Sequence, residues 1–464
     1  MPRYVNPWSS YRHLSAIEKL SSLSLRLKFP PETNERIPIR QKIVFPSSPP
    51  QIDDGPKIIW LGHASVYLLL PLAIPAEGRE WRGILLDPVF SERCSPVSFL
   101  GPKRRIEAPC RVEELPRVDV VFISHDHYDH LDEASIKSVQ KHHPAAQYFV
   151  PQSLGALLTK FGIDSTHVKE MNWWDEDVFS LSLNSPDSQG SSPGLKVERT
   201  VYMSASSPIK SQLSLSGEEC QALSLSPVKE EQHIDEVPFS PKSYASPLTP
   251  STLWDTVASS STNKRVDDTL KIVCCPAQHN SGRKLFGKNK TLWCTWWIEY
   301  DMPNSQRWKC FFGGDTGYKS IIDGPTCPAF PLIRNRYGSP DLALLPIAHG
   351  SVLPYLQSLF PFIKFDAQRL TSAIHCSPSD AITLHQELSA KITMPIHWAT
   401  WSTEIGTREI ARYLYSACRQ SNVNLKWQDQ DDGSIPNWYQ GVIVNDIGSS
   451  VGISIGNGLI CCAE

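Results

Sequence analysis

The segment VDVVFISHDHYDHLD, residues 118–132, decides the fold that the sequence predicts. Its first six residues are apolar except for one aspartate, which is typical of a strand buried on both faces. His125, His127, Asp129 and His130 follow that run directly, in the order H-x-H-x-D-H. A loop at the end of the strand can turn three imidazoles and a carboxylate towards one point. That donor set suits zinc or a similar first-row metal.

A polar loop that contains these histidines by chance is the alternative. Four potential ligands within six residues would then concentrate costly polar side chains at the edge of a core. Four side chains are also more than a single catalytic zinc usually takes, because one coordination position stays open for water or substrate. The pattern therefore favours two metal ions.

Three later residues, His279, Asp315 and His397, stand where a strand-like run gives way to a loop. Taken alone, each is more often a hydrogen-bonded structural residue, but their shared position makes them candidate ligands. The prediction assigns His125, His127 and His279 to one metal ion, Asp129, His130 and His397 to the other, and Asp315 as the bridge. His63, just past another strand end, is either an orienting partner of a ligand or a core histidine.

Composition limits the classes of function. The chain has 464 residues, enough for a substantial core, and its net charge of -3 gives no general attraction to nucleic acid. No apolar run is long enough to span a membrane, so we expect only peripheral membrane contact. The 12 cysteines include no C-x-x-C pair and follow no secretory signal. We therefore expect an intracellular, reducing compartment, cytoplasmic or at a membrane surface, with mitochondria not excluded.

The motifs resemble the metallo-β-lactamase superfamily, whose fold is an α/β, four-layer αββα sandwich with a dinuclear site at one edge of the two sheets. Within it they resemble the branch of N-acylphosphatidylethanolamine-hydrolysing phospholipases D. The matching motifs, in chain order, are NPW (6–8), WLGHAS (60–65), DPVFSERCSP (87–96), GPKR (101–104), ISHDHYDHLD, PAQH, GDTGY and IHW. The resemblance implies the same metal ligands, with Asp315 bridging, and places His375 in the substrate site. Residues 347–371 are expanded relative to the family.

The predicted domain organisation places the metallo-β-lactamase domain in two halves, residues 56–180 and 269–425. Residues 181–268 between them contain 20 serines and 8 prolines, which predicts a long disordered insertion. Residues 1–55 form a partly irregular leader and residues 426–464 a C-terminal extension. Within the leader, residues 11–29 could lie on a membrane or cover part of their own domain, and the leucine spacing favours the second interpretation.

The predicted function is that of a zinc-dependent phosphodiester hydrolase that releases N-acylethanolamine and phosphatidic acid from N-acylphosphatidylethanolamine. Two zinc ions, with iron or manganese not excluded, would supply a bridging hydroxide near neutral pH. Asp315, Asp129 and His375 are the candidate catalytic residues. His375, Lys103 and Arg104 are candidates for substrate binding, although solvated surface charge is the ordinary explanation for the last two.

Three other functions compete with this one. A hydrolase of the same fold could act on a lactone or on another phosphodiester, because fold and metal do not determine substrate. A nuclease is less consistent with the acidic balance, so no nucleic-acid partner is expected. A non-catalytic interaction protein would have no reason to keep every ligand type in place. The expected partner is a phospholipid substrate, and the sequence leaves the oligomeric state open.

Overall fold

The computed structural model describes residues 3–25, 34–51, 54–74, 78–97, 99–182, 196–200, 269–283, 287–321, 324–428, 434–436 and 439–453. Most of the predicted disordered insertion lies outside these residues. Lys196–Thr200 is an exception, because it forms strand β9 and pairs antiparallel with β8, Glu176–Ser182. The predicted insertion thus contains one described strand. The free edge of β8 offers backbone groups for pairing, which serine and proline content does not reveal.

The described residues form two large sheets, and the first of them has seven strands. In spatial order they are β18 (Ser450–Gly452), β2 (Lys57–Gly62), β3 (Ser65–Ile74), β4 (Gly78–Leu86), β5 (Val120–Phe122), β6 (Gln147–Pro151) and β7 (Val168–Met171). The second sheet has nine strands. Their order is β16 (Leu425–Trp427), β17 (Gly441–Val444), β15 (Ile392–Ile396), β13 (Leu342–Pro346), β12 (Arg307–Phe312), β11 (Thr295–Asp301), β10 (Thr269–Cys275), β8 and β9. A separate two-stranded sheet pairs β1 (Leu23–Leu25) with β14 (Ile363–Phe365).

Helices cover the outer faces of the two large sheets and connect their strands. In chain order the described helices are α1 (Ala16–Ser21), α2 (Glu133–His142), α3 (Gly155–Lys160), α4 (Ala329–Tyr337), α5 (Val352–Leu359), α6 (Ala367–Thr371), α7 (Pro378–Leu388) and α8 (Glu404–Gln420). Short 3-10 turns occur at Val112–Glu114 and Ser165–His167. No helix in the described part of the chain is both long enough and apolar enough to cross a membrane.

The central strands of the two large sheets are buried on both faces, which explains why their sequences are continuously apolar rather than alternating. In β2, Ile58 and Trp60 belong to the core between the two sheets, together with Phe312 of β12. Ile59 belongs to a second core on the other side of the first sheet, together with Ile136 of α2. Helices α4, α7 and α8 contribute to the core of the second sheet. The four-layer αββα prediction is confirmed.

The C-terminal strands belong to both large sheets. Strand β17 lies between β16 and β15 in the second sheet, and β18 pairs with β2 at the edge of the first. The sequence predicts strand-like segments here but does not indicate which sheet they join. The domain boundaries themselves stay predictions.

The pairing pattern brings particular strand ends together. Strands β2, β4 and β5 run in one direction in the first sheet, and β10, β12, β13 and β15 share a direction in the second. Within each sheet the carboxyl ends of these strands therefore meet at one edge. The loops that leave these ends carry the candidate functional side chains.

Candidate metal centre

Six strands are each followed, at their carboxyl ends, by candidate polar side chains. These side chains are His63 after β2, Asp87 after β4, His125 to His130 after β5, His279 after β10, Asp315 after β12 and His397 after β15. The backbone has a positive φ at His63 (51°), Asp87 (40°) and His397 (64°). Residues other than glycine rarely adopt this left-handed conformation. Such strain persists only where the surroundings enforce it, and it is concentrated at functional sites.

The first group of donor atoms consists of three imidazole nitrogens. His125 Nε2 lies 2.8 Å from His127 Nδ1, and His279 Nε2 lies 3.1 Å from the first and 3.3 Å from the second. The edge of a tetrahedron of nitrogens around zinc is about 3.3 Å for ordinary zinc–nitrogen bonds. The three atoms therefore have the spacing of ligands to one metal ion.

The outer nitrogens of this group are held by the protein. The Nδ1 of His279 donates a hydrogen bond of 2.7 Å to the carbonyl of Ile374, and the Nδ1 of His125 lies 2.9 Å from the hydroxyl of Ser124. Burial holds the pKa of His125 and of His279 well below the usual value, so both rings are neutral near pH 7. Metal ions bind neutral imidazole, so no proton has to leave these two rings.

A second group brings together His63, Asp129, His130 and His397, whose donor atoms lie within 4.8 Å of one another. The Nδ1 of His130 is 2.7 Å from a carboxylate oxygen of Asp87, and the Nδ1 of His397 donates to a backbone carbonyl at 3.2 Å. Both rings therefore keep Nε2 for the interior of the site. Burial lowers the pKa of His63 to about 3, so this ring is neutral as well.

Asp315 lies between the two groups. One carboxylate oxygen is 3.7 Å from His279 Nε2 and 3.2 Å from His130 Nε2, and the other is 2.7 Å from His397 Nε2. Burial alone would raise the pKa of Asp315, but electrostatic interaction with the imidazoles of His397, His130 and His375 lowers it well below its usual range. Asp315 is therefore a carboxylate, in position to bridge two cations.

Three buried atoms indicate that cations belong here. The Nε2 of His130, the Nε2 of His397 and the Oδ1 of Asp315 have no hydrogen-bond partner among the described residues. The last two are close, but their geometry is not that of a hydrogen bond. Leaving a buried polar atom unsatisfied costs about 1–3 kcal/mol, and coordination of a metal ion would satisfy all three. The residues present fit a two-metal centre of histidine and carboxylate ligands.

All seven predicted ligands lie in these groups: His125, His127 and His279 lie with Asp315, and Asp129, His130 and His397 lie with His63. Their individual roles stay predictions. His375 lies beside the same carboxylate, with its Nε2 3.3 Å from Asp315 Oδ2. His349, whose role the sequence left open, has its Nδ1 3.0 Å from the hydroxyl of Thr371.

The two basic residues proposed for substrate binding make other contacts. Lys103 pairs with Glu92 at 2.7 Å, and both side chains are mostly exposed. Arg104 is buried and donates hydrogen bonds to the backbone carbonyls of Ser91, at 3.1 Å, and of Val89. Its guanidinium also lies over the ring of Trp401. These contacts support a structural role for Arg104 in place of the predicted substrate contact.

Two residues near the ligands were not predicted. Asp87 accepts hydrogen bonds from the backbone and hydroxyl of Ser124, at 2.7 and 2.6 Å, and orients His130. Its place at a strand end within the DPVF motif is a signal that could have found it. Ser351 donates a hydrogen bond of 2.8 Å to Asp129. No sequence pattern identifies this serine.

The leader also reaches the metal centre. Asn6 donates to the backbone carbonyl of His279 at 2.9 Å, and Trp8 donates to that of Ala277 at 3.2 Å. The hydroxyl of Ser10 donates to the side chain of Gln278. The start of the chain therefore fixes the loop that presents a candidate ligand, which the interpretation as an irregular leader did not foresee.

Comparison with known proteins agrees with this geometry. Residues 82–212 and 235–398 match the model of the Beta-lactamase superfamily domain, well over half of the chain. N-acyl-phosphatidylethanolamine-hydrolyzing phospholipase D 1 of Caenorhabditis elegans is 25% identical over 353 residues, 75% of this chain and 65% of that protein. An uncharacterized protein of Mycobacterium tuberculosis is 25% identical over 351 residues, 74% of this chain and 59% of that protein.

A mitochondrial N-acyl-phosphatidylethanolamine-hydrolyzing phospholipase D of Saccharomyces cerevisiae is 23% identical over 320 residues, 68% of this chain and 44% of that protein. This chain thus spans between 44% and 65% of the length of these relatives. Among solved structures, a metallo hydrolase of Ignicoccus hospitalis covers 86% of this chain at 14% identity and a TM-score of 0.37, with 99% of its own chain matched.

Asp87→Asn tests the orienting role of this carboxylate. The amide cannot hold the Nδ1 proton of His130 as a carboxylate does, so we expect metal affinity to fall about 10- to 100-fold with the fold retained. Competition against a chromophoric chelator measures the affinity. Asp164→Asn, at an exposed 3-10 turn, is the matched control and should leave it unchanged. Unchanged affinity in Asp87→Asn would contradict the orienting role.

Proposed function

This chain belongs to the metallo-β-lactamase superfamily, and from that premise we propose that it is a zinc-dependent phosphodiester hydrolase of the phospholipase D type. Its membership and its relatives make it a metal-dependent hydrolase. The observation that carries the proposal is the position of Asp315 between two groups of candidate ligands. In two-metal hydrolases the paired ions stabilise the attacking and leaving oxygens of a phosphate, and a carboxylate shared by the two ligand groups would hold such a pair together.

N-acylphosphatidylethanolamine is the substrate we propose. Two relatives aligned over most of this chain carry the name of hydrolases of this lipid, one in Caenorhabditis elegans and one in Saccharomyces cerevisiae. The motifs outside the ligand set, such as DPVFSERCSP and GPKR, support the same branch of the superfamily. Hydrolysis adds the oxygen of water to phosphorus and breaks the phosphorus–oxygen bond to the ethanolamine. The leaving alcohol takes a proton, and phosphatidic acid is the other product.

A bound pair of metal ions supplies Lewis acidity and makes hydroxide available near neutral pH. Zinc suits the imidazole and carboxylate donors best, with iron and manganese as alternatives. The protein's own part is to hold the reactants. The Asp315 carboxylate orients the attacking water and contacts residues of both ligand groups, which fixes their positions relative to each other. Asp129 is the second carboxylate beside the reacting centre, and it accepts hydrogen bonds from Ser351 and His63.

The substrate's route to this site can be inferred from exposure. The side chains of Asp129 and His375 are 12% and 10% exposed, whereas those of His125, His130 and His397 are at most 1% exposed. His127 is also partly exposed, so substrate enters past His127, Asp129 and His375, away from the fully buried ligands. On this route His375 Nε2 can donate a hydrogen bond to a phosphate oxygen.

The decisive assay is hydrolysis of N-acylphosphatidylethanolamine in detergent micelles by metal-analysed protein. We expect release of N-acylethanolamine by the wild type and its loss in Asp315→Asn, because an amide cannot supply the bridging charge. The variant should keep its circular-dichroism spectrum, since the substitution preserves volume. Near-normal turnover in Asp315→Asn would overturn the bridging role. A metal-loaded protein that fails to release this product would move the substrate to a lactone or another phosphodiester.

His375→Ala separates substrate contact from metal binding. If His375 only contacts substrate, we expect turnover to fall about 100- to 1,000-fold, as for loss of one stabilising donor, while metal content is unchanged. His385→Ala, a histidine bonded to Thr393 away from the ligands, is the matched control and should retain turnover. Loss of metal from His375→Ala would make this residue a ligand instead, which its closeness to Asp315 and His397 allows.

A further inference from the structure

Two stretches that are far apart in sequence form one small unit beside the metal centre. The first is α1 with β1, and the second is α5, β14 and α6. Strand β1 pairs antiparallel with β14, so that Leu23 lies opposite Phe365 and Leu25 opposite Ile363. The backbone of Asp366 also donates to the carbonyl of Ser22 at 2.9 Å. We call this unit, residues 16–25 and 352–371, the apolar platform.

The platform exposes its apolar side chains. Helices α1 and α5 contain no buried residue, although helices of globular proteins ordinarily bury one face. Large apolar side chains between 38% and 81% exposed belong to Ile17, Leu20, Leu23, Leu25, Val352, Leu359, Phe360 and Phe362. Single exposed apolar residues are normal, but a concentration on two paired segments indicates an interaction surface. Nothing in the described part of the chain covers them.

Residues next to the ends of the platform segments contact the metal centre. Ser351, directly before α5, donates to Asp129 at 2.8 Å. At the C-terminal end of the second segment, the hydroxyl of Thr371 lies 3.0 Å from the Nδ1 of His349. His375, whose side chain contacts Asp315, follows four residues later. On the N-terminal side, Ser10 precedes α1 and bonds Gln278, the neighbour of a candidate ligand. Whatever binds the platform is therefore delivered beside the reacting centre.

The platform is basic within an acidic chain. The platform holds three basic residues, Lys19, Lys364 and Arg369, and two acidic ones, whereas the whole chain has a net charge of -3. Both acids are occupied, since Glu18 pairs with Arg12 at 2.6 Å and Asp366 caps α6. Lys19 also lies near Lys288, whose pKa is lowered by burial and by the charge of Lys19. The surface thus favours an anionic partner.

We propose that the apolar platform docks on the surface of an anionic lipid bilayer, inserting its exposed leucine, isoleucine and phenylalanine side chains between headgroups. The proposal rests on the proposed function, because a phospholipid substrate has to be reached in its membrane. Apolar side chains beside lysine and arginine are the combination that binds such interfaces. A second copy of this chain is disfavoured as the occupant, since a symmetric contact would place the same positive charges face to face.

Binding to vesicles that contain no substrate tests the proposal separately from catalysis. The probes are vesicles of phosphatidylcholine alone and of phosphatidylcholine with phosphatidylserine, and cosedimentation measures bound protein. We expect binding to the anionic vesicles, weakened by added salt. The double variant Leu20→Ser/Phe362→Ser should lose about tenfold or more in apparent affinity, because two apolar side chains no longer leave water on binding.

Matched controls make the result specific. Val44→Ser/Tyr415→Ser removes two equally exposed side chains outside the platform and should bind as the wild type does. Lys19→Gln/Lys364→Gln should weaken binding to anionic vesicles, whereas Lys42→Gln/Lys141→Gln should not. Metal content is measured in every variant, and an unchanged value shows that the site is intact.

Two outcomes would overturn the proposal. One is equal vesicle binding by the platform variant and the wild type. The other is absence of vesicle binding by the wild type together with self-association that the platform variant abolishes, which would make a second copy the occupant. Neither outcome depends on lipid hydrolysis. If the vesicles bind but the lipid is not cleaved, the docking surface stands and the proposed substrate is wrong.

Discussion

The buried carboxylate of Asp315 is the constraint on which the rest of the site depends. A charge in the interior is unstable unless opposite or polar groups surround it, and here His130, His375 and His397 approach it within 3.3 Å. These side chains come from separate strand ends and loops of the two sheets. The packing of the sheets, the left-handed backbone at the strand ends and the convergence of the loops all serve this one arrangement.

The orienting contacts belong to the same arrangement. Asp87 holds the outer nitrogen of His130, Ile374 holds that of His279, and Ser351 holds Asp129. Each contact leaves the inner donor atom free to face a cation, which is how proteins prepare histidine and carboxylate ligands. The partners come from the opposite sheet or from an adjoining loop. A substitution in any of these loops should therefore change the orientation of a ligand at the metal centre.

Much of the fold and of the ligand set could be predicted from sequence because the signals are local. A doubly buried strand followed by H-x-H-x-D-H places four candidates within six residues, and the later ligands each follow an apolar run. The contacts of Asn6, Asp87 and Ser351 join residues distant in sequence, so no local pattern reveals them. Arg104 shows the opposite limitation, because a basic residue in a loop does not disclose that it is buried against backbone carbonyls.

A count of metal ions per chain by elemental analysis, combined with anomalous diffraction to locate them, tests the two-metal centre most directly. We expect two ions, one at His125, His127 and His279 and the other at Asp129, His130 and His397, both in contact with Asp315. A single ion per chain at saturating metal, or a second ion without contact to Asp315, would contradict it.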